Sequence, residues 1–450
     1  GLCLAHRLFG RLPLQQVLEP AIHYAEEGFE VNWYFCLLVG NAMEEMERFP
    51  ATREVFVPTG FPPKHAPKPA DRIVQKELGR LLRRIAAEGP SAFYEGEVAA
   101  AVEEDMARNG GLLTREDMAR YQAVVRVPTR VAYRGYDVLA APGSNGCLTL
   151  LQTLRILEHL DLRGMGHNSR QYLHAFIEAA RHAFADRYRF VGDPEAVDVP
   201  MKGLLSEEYS RQIAKLIRRD RASSALEEEP WTYFLGQELH DPWAFEGKPR
   251  PRHAFAPSAH ATDTDCTTHF NVADAEGNVV SCTQTAVSLF GSKVMTPGTG
   301  ILWGNGMVWF NPKAGFANSI APWKRPLVNM APVLVLRGGR PYLALGSPGG
   351  RRIINCNTQV LLNILEFGMG VQEAIAQPRV DTSTRVTFVD SRLDEREMQG
   401  LIDMGHQAQA VTEGPAASNF ATPLGILIDP ATGLKHGGAD VFRIAEVCGW

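Results

Sequence analysis

Through the first half of the chain the apolar residues recur three and four positions apart, the spacing of a helix face. The stretch LQQVLEPAIHYAEEGF has this pattern and ends at a glycine, as a helix C-cap requires. KELGRLLRRIAAEG and GEVAAAVEEDMARNGG repeat it, the second stopped by Gly110 and Gly111. TREDMARY opens with a threonine suited to an N-cap and carries acidic residues in its first turn, where the helix dipole favours them. VVRVPTRVAYRGYDVLAAP reads as two strands joined at Arg-Gly. After GSNG come two long helices, LTLLQTLRILEHL and SRQYLHAFIEAARHAFADRYRFVGDP, the latter closed by Gly192, Asp193 and Pro194. The opening residues, with Leu2, Leu4, Ala5 and Leu8 on one face, already read as a helix. With no initiator Met ahead of them, the chain reads as N-terminally truncated or processed, so the lack of a signal peptide says nothing about compartment.

From about Arg221 to Asp265 the periodicity fails, and Pro, charge and Ser/Ala surround isolated aromatics. This is linker-like sequence, and so long a patternless run inside a compact protein marks either function or a boundary. Beyond it the character becomes β. Hairpins are predicted over 268–285 and over PVLVLRGGRPYLALGSPGG, the second turning at Arg337 to Arg340. GILWGNGMVWFNP, RVTFVDSRL and LGILIDPATGLKHGGAD add strands. Helices are expected at RIINCNTQVLLNILEFG and EREMQGLIDMG. Hairpins stacked with packed helices make the fold class α+β and layered.

Composition narrows the function. With 45% hydrophobic residues the chain can bury a large core, which argues against disorder. A net charge of -5 with scattered Lys and Arg argues against nucleic acid or an anionic membrane as partner. No apolar run reaches the length a membrane-spanning helix needs. Cys3, Cys36, Cys147, Cys266, Cys282, Cys356 and Cys448 are too sparse and irregular for a disulfide framework. The histidines show neither HExxH nor a paired metal spacing; His174 and His182, on a mostly apolar helix, read as satisfied histidines rather than ligands. No metal and no cofactor are expected.

The stretch DTDCTTHFNVADAEGNVVSC lies where linker gives way to strand, and its hairpin begins with Thr-Thr-His. A threonine hydroxyl is a weak nucleophile until its proton is removed. Cutting the chain just before the threonine makes its own α-amine the base. That amine has a pKa of about 7.7–8.0, so it is substantially neutral at working pH. The solution predicts a threonine at a strand start behind a segment that can be cut, and Thr267 fits; Thr268 is the rival for a cut one residue later.

TTHFNVADAEGNVVSCTQT, GTGIL, KRPLVNMAP, LGSPGG and HGGAD occur in that order, and together they resemble the small-subunit half of the γ-glutamyltranspeptidase family. FGRLPLQQVLEPAIHYAEEGF, GGLLTREDMARY and HAFADRYRFVGDP resemble its large-subunit half, so the resemblance covers essentially the whole chain. It implies an N-terminal-nucleophile hydrolase, built as a four-layer αββα sandwich from one precursor that cuts itself into two associated subunits. The cut falls between Cys266 and Thr267. It gives a large part, 1–266, mostly helical, N-terminally incomplete and linker-like over 221–265, and a small subunit, 267–450. The same resemblance makes Thr267 the nucleophile and Thr285 its hydrogen-bond partner. Gly349 and Gly350 become the oxyanion pair, where the backbone must approach an acyl oxygen without a Cβ in the way. Taken singly, a Thr-Thr strand start, a strand threonine and an SPGG turn are ordinary structural features. Their order behind the linker carries the reading.

The glutamyl pocket departs from the family pattern. The family reads the α-carboxylate with an Arg from the N-terminal part of the large subunit, a region not present in this sequence, and with two serines after KRPL, where Val328 and Asn329 stand. Its amine readers fall at Val287, Gly306 and Trp309. Burying a zwitterion against Val and Trp leaves it unsatisfied at a cost of about 2–7 kcal/mol. Val287, Trp309 and Met307 favour a flatter or more apolar acyl group. Arg351 offers a carboxylate contact, the alternative being an exposed or salt-bridged residue at a helix N-terminus.

The expected activity is therefore amide cleavage through an acyl-enzyme on Thr267, by a γ-glutamyltransferase-like enzyme with an altered pocket, acting on a small amide. An acylase or hydrolase of a non-glutamyl amide is the alternative, and a catalytically silent binding protein a second one. The family resemblance implies export to the periplasm or medium, with cytoplasmic relatives leaving the compartment open, and a homo-oligomer stays open too.

Overall fold

The computed structural model describes residues 1–223, 240–251, 266–417 and 419–449, and the remaining linker-like residues lie outside that description. The chain divides into two compact units, one formed by Gly1–Val125 with Ala286–Asn305 and one by Arg126–Thr285 with Gly306–Trp450. Each draws on both sides of residue 266.

The first unit is mainly helical, and its helices start and stop where the sequence says they should. Thr114 accepts from the Asp117 N–H while the Asp117 carboxylate accepts from the Thr114 N–H, a complete capping box on Arg115–Arg120. Gly110 ends the helix Gly96–Asn109 in the left-handed conformation. The helix Leu2–Phe9 buries none of its residues. One strand prediction is corrected here. Of GILWGNGMVWFNP only Ile301–Leu302 is extended, and Gly306–Trp309 is a 3-10 turn. Asn305 breaks the run, because its side chain is bound to Ser288 and its N–H to Ala286.

The second unit is organised on a six-stranded antiparallel sheet. Its strands, edge to edge, are Lys435–Ala439, Leu424–Ile428, Arg340–Gly346, Val333–Arg337, Tyr136–Ala140 and Thr129–Tyr133. Both predicted two-residue turns are present, at Arg134 and Gly135 and at Gly338 and Gly339, all with positive φ. Alternation along Arg340–Gly346 sends Leu343 and Leu345 into the main core. There they meet the helices Gly146–Leu157, Arg170–Phe190 and Arg352–Leu365, whose Leu150, Leu154, Phe176, Phe184 and Leu361 are fully buried. Each such side chain contributes about 1.5–3 kcal/mol of burial. Gly346 presents its opposite side to the hairpin formed by Cys266–Ala273 and Val279–Val287. Helices, sheet and hairpin thus make a layered α+β arrangement.

Within the linker-like run, residues 240–246 pack against the rest of the second unit. His240 is buried and its Nδ1 lies 2.7 Å from the Asp186 carboxylate, which also accepts from the Tyr209 hydroxyl at 2.8 Å. Trp243 joins the main core, and Glu246 accepts the Gly203 N–H at 2.7 Å.

Candidate active site

The hairpin's inner face is a polar row. Thr267, His269 and Asn271 alternate along one strand, and Ser281, Thr283 and Thr285 along the other. The Thr267 hydroxyl donates to the Thr285 Oγ1 at 3.2 Å. His269 sits 2.8 Å from the Thr283 hydroxyl through Nδ1 and 3.1 Å from the Asn271 Oδ1 through Nε2. The row is tied to the large sheet at two carbonyls: Ser281 donates to Leu345 at 3.0 Å and Asn271 to Leu424 at 2.9 Å. Burial pushes the His269 pKa down to about 4, so its ring is neutral at working pH.

Sequence reading named the two threonines but passed over His269 and its partners. The strict polar alternation in THFN was the available signal, since an inward-facing polar row on a buried strand needs partners.

The strand Arg340–Gly346 leads into Ser347, Pro348, Gly349 and Gly350, and then into the helix Arg352–Leu365. Gly349 has φ +135 and Gly350 φ +57. A Cβ on Gly349 would fall 2.6 Å from Ala421, so both the conformation and the close approach require glycine. The turn is fixed from both sides: Ser347 donates to the Asn357 Oδ1 at 2.8 Å, and the Pro348 carbonyl accepts from Thr422 at 2.9 Å. Two successive glycines ahead of a helix N-terminus place backbone N–H groups where negative charge is favoured.

The four pocket candidates separate. Arg351 is buried, not exposed, and donates to the Ser383 carbonyl at 3.2 Å. Asn329 is also buried; its Oδ1 accepts from Arg187 at 3.0 Å, and Arg187 further donates to the carbonyls of Val328 and Asn145. Arg187, missed in the sequence, is fully buried, and that burial brings its pKa down to about 10. Trp309 lies in the 3-10 turn, its carbonyl held by Asn318 at 2.7 Å and its indole N–H buried with no partner among the described residues. Val287 ends the second hairpin strand with φ +81, a strained conformation for a β-branched residue, and it belongs to the first unit while Thr285 belongs to the second.

His174 and His406 have both ring nitrogens in hydrogen bonds. His174 Nε2 donates to the Arg218 carbonyl, which leaves Nδ1 as an acceptor 2.7 Å from His406 Nε2. His406 Nδ1 then accepts from Arg181. His182 Nδ1 is 2.9 Å from His240.

Comparison with known proteins sets this geometry in a family. The family model for gamma-glutamyltranspeptidase matches residues 1–450. The chain belongs to the γ-glutamyltranspeptidase family. It is 38% identical over 409 residues to the acylase ACY 1 proenzyme of Pseudomonas sp. (strain SE83), covering 90% of this chain and 67% of that one. It is 31% identical over 444 residues to the glutathione hydrolase proenzyme of Bacillus subtilis (strain 168), covering 98% and 72%. Among solved structures, a cephalosporin acylase from Bacillus halodurans superposes with a TM-score of 0.84 at 27% identity, covering 100% of this chain and 76% of that one. Relatives of both activities are thus proenzymes. Among the described residues no helix is long and apolar enough to cross a membrane.

Proposed function

We propose that Thr267 is the nucleophile of an autoprocessed amide-cleaving enzyme of this family. The observation that carries the reading is the Thr267–Thr285 hydrogen bond at the first residues of a strand that follows the linker-like run. In the precursor, Thr267 Oγ1 attacks the Cys266 carbonyl carbon. The C–N bond breaks, the proton passes to the Thr267 nitrogen, and water hydrolyses the resulting ester. In the matured enzyme the freed α-amine takes the Oγ1 proton as Oγ1 attacks a substrate amide, and returns it to the leaving amine. The N–H groups of Gly349 and Gly350 hold the oxyanion, and water or an acceptor amine then releases the acyl group. The fragments 1–266 and 267–450 stay together in a four-layer αββα unit.

The pocket reading favours an acyl group other than γ-glutamyl. Where the family places an acceptor for the substrate's amine, Trp309 offers only a donor, a buried indole N–H without a partner. Asn329 and Arg351, both of the second unit, supply the polar contacts. Intact-mass measurement of the precursor and of Thr267→Ala, followed by turnover of γ-glutamyl against glutaryl and simple acyl p-nitroanilides, tests both parts. The reading expects wild type to split between Cys266 and Thr267, the variant to stay whole, and the γ-glutamyl substrate to be the slower. A variant that splits like wild type would falsify the nucleophile assignment, and a strong γ-glutamyl preference would overturn the pocket reading.

A further inference from the structure

His269 touches neither the Thr267 hydroxyl nor the oxyanion turn through any hydrogen bond described above, yet it stands between the strands that carry them. It lies two residues after Thr267 on the same face of the strand. A Cβ built on Gly346 would fall 2.2 Å from its ring, so the imidazole occupies the space a side chain would take at that position. Gly346 is the last residue of its strand and stands three residues before Gly349.

The ring's orientation follows from its partners. Asn271 Nδ2 donates to the Leu424 carbonyl, which turns Oδ1 toward His269 as an acceptor. His269 Nε2 therefore carries the proton, and Nδ1 accepts from the Thr283 hydroxyl. Every polar atom of the chain Thr283–His269–Asn271–Leu424 is used with one tautomer. Leu424 is the cross-strand partner of Gly346, so the chain ends on the same rung the ring rests against.

We propose that His269 is a positioning residue, a neutral spacer that sets the separation between the nucleophile strand and the strand leading into the oxyanion glycines. The role rests on the assignment of Thr267 as nucleophile. The ring reaches Gly346 from one side, while hydrogen bonds to Thr283 and Asn271 hold it in plane on the other. Its geometry and single tautomer suit a spacer rather than a proton carrier, because both ring nitrogens are committed.

The experiment uses the full chain as wild type, Gly346→Ala, His269→Ala, the double variant, Thr283→Val and Thr267→Ala. It follows splitting by intact mass, and kcat and KM of matured protein on glutaryl p-nitroanilide. Gly346→Ala drives a methyl into the ring, and an error of this size near reacting atoms lowers rate by about 10²-fold, in kcat rather than KM. Removing the ring gives that methyl room, so the double variant recovers at least about tenfold over Gly346→Ala. Thr283→Val introduces no clash and frees the ring, giving a smaller loss in kcat with KM unchanged. Wild-type splitting and kcat in Gly346→Ala, or a double variant as slow as the single one, overturns the spacer. The same holds for a Thr283→Val protein with unaltered kcat. Splitting of Thr267→Ala instead removes the nucleophile reading on which the spacer depends, so the two failures are told apart.

Discussion

Thr267 and Thr285 face one another across the hairpin, their Oγ1 atoms 3.2 Å apart. The contact fixes where the Thr267 hydroxyl points. A neutral hydrogen bond of this kind contributes about 0.5–1.5 kcal/mol, and about 1.4 kcal/mol in a barrier is tenfold in rate. Thr285→Val is therefore expected to slow both splitting and turnover by roughly two- to tenfold. Time courses by intact mass and initial-rate kinetics check it, and unchanged rates in both would remove Thr285 from the machinery.

Gly349 combines φ +135 with a would-be Cβ 2.6 Å from Ala421. Gly349→Ala must move one of the N–H groups assigned to the oxyanion, so kcat is expected to fall by about 10²–10³. Backbone strain costs a further 1–3 kcal/mol or so in stability. Kinetics paired with thermal melting separate the two effects. A variant that melts lower but turns over normally would make Gly349 a folding residue only.

Two buried histidines give stability a pH dependence. Burial pushes His269 down to about 4, and burial reinforced by the Arg181 charge and His174 pushes His406 down to about 2. The unfolded chain protonates them near the ordinary value of about 6.5. Below that pH the unfolded state binds protons that the folded state refuses, so stability falls as the solution is acidified. The loss runs from about 6.5 toward about 4 for His269 and continues toward about 2 for His406, at up to about 1.4 kcal/mol per pH unit for each. Melting temperatures from about pH 7 to about pH 5 should drop, and His406→Gln should flatten the slope. A wild-type melting temperature that holds steady over that range would contradict the buried neutral state.

Gly203 packs against the Pro242 carbonyl so closely that a Cβ would lie 1.9 Å from that oxygen. Gly203→Ala is expected to displace residues 240–246 from the core, costing about 1–3 kcal/mol. Faster proteolytic cleavage within 240–251 and a lower melting temperature would register this. Wild-type protease resistance would mean the packing adjusts without releasing Trp243.

Local signals in the sequence specify many of the elements. Thr114 with Asp117, Gly110 after its helix, and Gly338-Gly339 between two apolar runs each specify a cap or turn through residues a few positions apart. The place of Thr267 at a strand start was legible for a similar reason, because the failure of pattern before it and the strand after it are local features. The strand over GILWGNGMVWFNP failed where Asn305 finds Ser288, seventeen residues away along the chain, a partner no periodicity reveals.

Tertiary structure alone decided the rest. The sheet sets Tyr136–Ala140 beside Val333–Arg337, almost two hundred positions apart, a pairing chosen by the shared core rather than by either strand's pattern. Arg187 and Arg351 carry charges that composition assigns to the surface, yet both are buried, because backbone carbonyls of distant segments accept from their guanidinium groups. His269 became visible as a spacer only when Gly346 was found against its ring. Periodicity, caps and turns are properties of neighbours in sequence, whereas burial and contact depend on which remote segment closes over a residue.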